Sequence, residues 1–180
     1  TFTMLLPGLN NGTGRIRYYS FYCWLFDEYS KNIRSTNPDH QKSFIRRAEY
    51  IIALASNYFE GDAGNITGSL YANRQIKNDP NFKHDLQKGT YNPDGSTTDT
   101  YFKNSFGGFG QFYSSSLKDI GLISDRESNG GVYVRTSSNN TNFISGEKLA
   151  SAFNDSISAE TKNLFFSCLN DGWISEEELM

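Results

Sequence analysis

Two runs of large apolar residues at helical spacing restrict this chain more than any other feature. Between Arg15 and Lys31, the residues Tyr18, Phe21, Tyr22, Leu25 and Tyr29 recur every three or four positions. That spacing is the signature of one broad buried stripe on an amphipathic helix. Trp24 lies off the stripe, which predicts that it covers a second surface. Between Gln41 and Phe59, the residues Phe44, Ala48, Ile51, Ile52, Ala55 and Phe59 line one face, with Lys42, Arg46 and Asn57 opposite. Gly61 and Gly64 stop this second helix, and a polar connection containing Pro38 joins the two. The expectation is an antiparallel helical hairpin whose stripes bury each other and whose cationic sides stay wet.

Aromatic residues make up 15% of the chain and hydrophobic residues 37%, so the core is expected to rest on Phe and Tyr more than on Leu and Val. The 180 residues suffice for one domain, or a domain with a small satellite.

Beyond the hairpin, Thr67 to about Asn78 reads as a shorter helix. Residues 78–100 read as a polar loop, with Asp79-Pro80, Gly89 and Pro93-Asp94-Gly95 as turn signals. Phe106-Gly107-Gly108-Phe109-Gly110 breaks the pattern. A helix then starts at Gln111, with Phe112, Tyr113, Leu117 and Ile120 inward and Gly121 at its end. Leu122-Ile123 and Val132-Tyr133-Val134 flank a charged, Gly-ending turn from Asp125 to Gly131, which predicts a β-hairpin. Ser145 is placed to cap a helix holding Leu149, Ala150 and Phe153. Another helix covers Ala159–Leu169, and Ser175 with Glu178 makes a capping box for one more. The organisation expected is a helical region over 1–78, a polar loop over 79–100 and a second, winged-helix-like unit with additional helices over 101–180, all in one compact body. The fold class is mainly α: a helical bundle with a small β-hairpin.

The order helix, Gly121, short strand, turn, Val132-Tyr133-Val134-Arg135-Thr136, then the helix from Gly146 to Phe153 resembles the back half of a winged-helix domain, over roughly residues 101–155. One departure is the polar insertion from Ser137 to Ser145. The resemblance implies that the helix ending at Gly121 is the element that enters the major groove in DNA-binding members. Gln111, Ser114, Ser115 and Lys118 are then its outward residues, with Arg126 on the wing. Gln and Ser can bond base edges, and Lys and Arg can reach phosphates. Near the start, Leu5-Leu6-Pro7-Gly8-Leu9 followed by Arg15-Ile16-Arg17-Tyr18-Tyr19-Ser20-Phe21 resembles a segment of uncharacterised bacterial proteins, some of which accompany restriction or phage-defence genes. Arg15 and Arg17 beside two tyrosines can neutralise and stack on a nucleic-acid strand. The plainer reading is that they pair with carboxylates at a helix start.

Charge argues against wholesale attraction to nucleic acid, since the net charge is −3. It is uneven, with seven cations against four acids in residues 1–50 and one against six in 151–180. Solvated helix surfaces are the commoner meaning of such runs. Asp119, Asp125 and Glu127 also offset the cations of the proposed reading helix and wing.

Signals for catalysis are thin. Gly8 to Gly14 and Gly107 to Gly110 lack the Lys-Ser/Thr ending of a phosphate-cradling loop. Glu160-Thr161-Lys162 mimics a metal-dependent nuclease motif, but its lead-in favours a helix where those enzymes need a strand. Asp171-Gly172-Trp173-Ile174-Ser175 through Glu178 echoes half of a calcium loop, with Ser167 and Leu169 where the first ligands belong. His40 and His84 stand without zinc-spaced partners. Cys23 and Cys168 sit in apolar runs and read as buried free thiols. Four glycosylation sequons, at Asn11, Asn65, Asn139 and Asn154, are what chance gives in a chain rich in Asn, Ser and Thr. No stretch approaches the roughly 20 apolar residues of a membrane helix. The chain opens on Thr1 and stops just after a helix-start signal.

The expectation is therefore a non-catalytic binding or scaffolding module of a larger bacterial cytoplasmic protein. It needs no cofactor or metal, does not touch a membrane, and docks another domain of its parent or a partner protein. A winged-helix-type module that binds DNA is the alternative, and a catalytic module with a hidden site the third.

Overall fold

A computed structural model describes residues 16–60, 66–78, 83–92, 94, 101–124, 126–137 and 144–179. The chain is mainly helical with two small antiparallel two-stranded sheets. In order, the elements are α1 (Arg17–Glu28), a π-turn (Tyr29–Ile33), α2 (Pro38–Glu60), α3 (Ser69–Asn78), β1 (Lys83–Asp85) and a 3₁₀ turn (Leu86–Gly89). A second π-turn (Phe109–Tyr113), α4 (Ser114–Asp119), β2 (Ile123–Ser124), a 3₁₀ turn (Glu127–Asn129) and β3 (Val134–Arg135) follow. The chain continues through α5 (Gly146–Asp155), α6 (Ala159–Asp171), β4 (Trp173–Ser175) and α7 (Glu176–Leu179). Two compact units emerge, one from Thr1–Gln41 with Phe109–Ser158, the other from Lys42–Gly108 with Ala159–Met180.

In the first unit α1 is buried almost all round, Trp24 included. An aromatic helix buried on every side must be enclosed by other elements, beyond one stripe against one partner. Within this unit the enclosing rings come from the second π-turn, from Tyr133 just before β3, and from α5. Tyr18 stacks on Tyr113 at 5.1 Å, Tyr22 and Phe26 meet Phe109 at 5.1 and 5.0 Å, and Phe21 and Trp24 meet Phe153 at 5.8 and 5.3 Å. Tilted and edge-on contacts of this kind add about 0.5–1.5 kcal/mol each beyond the area they bury. Gln41, fully buried, completes the backbone of Tyr133: its Nε2 donates to the Tyr133 carbonyl and its Oε1 accepts from the Tyr133 amide, both at 2.7 Å.

The hairpin expected around Asp125–Gly131 forms, with Ile123 opposite Arg135 and Ser124 opposite Val134. Gly121, at φ +73°, ends α4 as the sequence predicts. Thr136 then ties three elements together. Its Oγ1 donates to the Gly121 carbonyl at 2.8 Å and accepts from the Gly146 amide at 3.0 Å, while its own amide donates to Leu122 O at 2.9 Å. Ser145 caps α5 by accepting from the Lys148 amide. Two local expectations fail here. Helical winding begins at Gly107 and passes through the π-turn, so the glycine-rich Phe106–Gly110 run does not interrupt it. Ile120, expected inward, is 45% exposed: it is the C-cap residue of α4, where the helical winding ends.

In the second unit α2 departs from the expected wet cationic side. Arg46 is 3% exposed: its Nε donates to Gly89 O at 2.7 Å, and its Nη1 donates to Phe102 O and Asn104 O at 2.8 and 2.6 Å. Three residues on, Glu49 is equally buried and accepts from the Gly108 amide at 2.9 Å. Asn57 is also covered, donating to Ala53 O and Ser69 O. The reason is that backbone from elsewhere arrives on the polar face: the Gly89, Phe102 and Asn104 carbonyls at Arg46, and the Ser69 carbonyl at Asn57, all of which need donors. Tyr50, Tyr71 and Tyr101 pack as a cluster of rings 5.4 to 6.2 Å apart, and Tyr101 donates to Thr67 O.

The stretch read as polar loop, 79–100, contains β1 and the Leu86–Gly89 turn. Strand β1 pairs with β4, placing His84 opposite Ile174, both 2% exposed, with Lys83, Asp85 and Trp173 facing out. A three-residue strand shows too little alternation to be read, and its partner lies some ninety residues away. The capping box at Ser175 and Glu178 forms reciprocally, at 2.8 and 3.3 Å.

Arg46→Ala removes the guanidinium donors of the Gly89, Phe102 and Asn104 carbonyls, of which Asn104 keeps the Gly107 amide, and is expected to lower stability by about 3 kcal/mol. Arg46→Lys should recover only part of that, because one ammonium cannot reproduce the planar fork; urea unfolding of both variants measures this. Gly146→Ala sets a Cβ 2.0 Å from the Leu122 carbonyl oxygen, an overlap with backbone that forces α5 away from Thr136. A loss of about 1–3 kcal/mol is expected for that overpacking, read as a lowered urea midpoint at unchanged m-value.

Candidate functional site

The residues singled out from sequence fall, where described, on the first unit. Arg15 lies outside the described residues. Arg17 is exposed, and its guanidinium stands 5.9 Å from the Phe153 ring centroid, over the ring that also packs on Trp24. Gln111 sits in the middle of the Phe109–Tyr113 π-turn, while Ser115 and Lys118 lie on α4; all three are exposed. Their spacing of four and then three residues sets them along one side of the helical stretch. Phe109, Tyr113, Ser116 and Leu117 are buried on the other. Ser114 differs from its neighbours, being half-buried with its hydroxyl donating to Gly110 O at 3.2 Å. Arg126 is half-buried and opens the 3₁₀ turn between β2 and β3, where its carbonyl accepts from the Asn129 and Gly131 amides. So Gln111, Ser115 and Lys118 share a face, Arg126 belongs to the neighbouring turn, and Ser114 serves the helix.

The first unit also holds an ion-pair network that the sequence did not announce. Asp27, 8% exposed, accepts from Arg135 Nε at 2.8 Å and from Lys31, and Arg135 also reaches Glu147 at 3.2 Å. Arg135 follows the β-prone Val-Tyr-Val run, and only folding brings it to an aspartate 108 positions earlier. Its geometry is structural: it joins α1, β3 and α5.

The groups with intrinsic chemistry are committed inward. Burial pushes the Cys23 thiol up to about 12, with Arg135 opposing. Burial also raises Cys168 to about 11, helped by Glu178 and Asp171. Both are therefore protonated and weakly nucleophilic at neutral pH. His84 Nε2 lies 3.0 Å from the Tyr58 hydroxyl, and His40 Nδ1 lies 3.1 Å from that of Tyr29, whose own pKa burial raises. Glu160-Thr161-Lys162 falls on α6, as its lead-in predicts. The calcium-loop echo fails for a visible reason. Helix α6 runs on through Asp171, which holds Ser167 and Leu169 in helical turns; Ser167 donates to Asp171, and Ser175 with Glu178 is taken up by the capping box. Among the described residues no group of three or more His, Cys, Asp and Glu side chains is placed to hold a metal ion. None of their helices is long and apolar enough to cross a membrane.

Thiol reagents should modify native Cys23 and Cys168 at pH 8 only as fast as the protein opens, and at ordinary thiol rates in urea. Because the folded Cys23 value lies above its ordinary 9.0, its stabilising contribution is complete below pH 9 and is lost as pH rises towards 12. A Cys23→Ala variant should lack that alkaline loss in a pH series of urea midpoints.

No protein-family model matches the chain, and no curated protein or solved structure matches it.

Proposed function

We propose that this chain is a binding or scaffolding module that docks another domain or a partner protein through exposed apolar and aromatic side chains. The observation that carries the reading is where its reactive groups are spent. Arg46 and Glu49 satisfy backbone groups, Asp27 pairs with Arg135, His84 meets Tyr58, and both thiols are buried. Large apolar side chains remain at the surface instead: Ile16 and Ile144 in one unit, Leu70 in the other, at 84%, 68% and 79% exposure. Scattered singly, such residues are ordinary on soluble proteins, so the reading depends on their use in contact with a partner. Ile144→Lys and Leu70→Lys should keep the helical circular dichroism and melting temperature of the parent. At least one should remove a cross-linked partner that the parent retains in extracts of its source cells. Identical cross-linking profiles for all three proteins would refute the docking role of these side chains.

A second reading, nucleic-acid binding in the manner of a winged helix, is favoured by one observation: Gln111, Ser115 and Lys118 share an exposed helical face, with Arg126 in the turn after β2. Against it stand exposed Asp119 and Glu127 on the same elements. If this face reads DNA, duplex binding followed by fluorescence anisotropy weakens steeply with salt, and Lys118→Ala and Arg126→Ala each lower the salt slope by about 1. Lack of association at low salt eliminates the reading.

A further inference from the structure

We draw no further inference here: the strongest candidate, the outward face of the β1–β4 ribbon where the Lys83 ammonium lies 3.6 Å above the half-exposed ring of Trp173, carries nothing because nothing in the structure shows what covers it.

Discussion

Irregular backbone can be buried only where something donates to its carbonyls and accepts from its amides, and this fold depends on a few side chains that do so. Arg46 is the clearest. One guanidinium holds the carbonyls of Gly89, Phe102 and Asn104, none of which lies in an α-helix or strand that could supply all their donors. Glu49, one turn along, takes the Gly108 amide. Burial lowers the Arg46 pKa and Glu49 opposes that shift, yet arginine stays charged across the usual pH range. Each of the three bonds is therefore charge-assisted, and stronger than a neutral bond.

The same solution recurs with neutral groups in the other unit. Gln41 substitutes for a neighbouring strand against Tyr133, and the Thr136 hydroxyl joins the end of α4 to the start of α5. These bonds are local in space and distant in sequence. Among the described residues they tie irregular segments in place where the strands are only two or three residues long. The aromatic core works alongside them. Tyr113 and Phe109 fill the space around α1 from a π-turn, and that winding carries both rings onto the inner side. Close packing makes small volume changes costly at the joints between elements too, as at Gly146, where a single added carbon meets backbone.

For function, the consequence is a division between inside and outside. Among the described residues, both cysteines are desolvated, His84 meets Tyr58, and Asp27 pairs with Arg135. Cys23 and Cys168 are held as thiols, and Glu178 completes a helix start. What reaches solvent on the π-turn and α4 is a modest polar face of Gln111, Ser115 and Lys118, accompanied by isolated apolar side chains elsewhere.

Sequence by itself determined the elements whose signals are local. Helical periodicity located α1 and α2, Gly121 ended α4, Ser145 and the Ser175–Glu178 box started α5 and α7, and β-prone residues flanking a glycine turn made the hairpin. Each rests on interactions within a few residues, which composition and spacing encode directly. Tertiary structure alone decided that Arg46 and Asn57 are covered, that Asp27 finds Arg135, and that β1 pairs with β4. It also separated inward Ser114 from outward Ser115. A period of 3.6 residues says which side of a helix is apolar, but the covering of its polar side depends on backbone arriving from elsewhere, and no local pattern records that arrival.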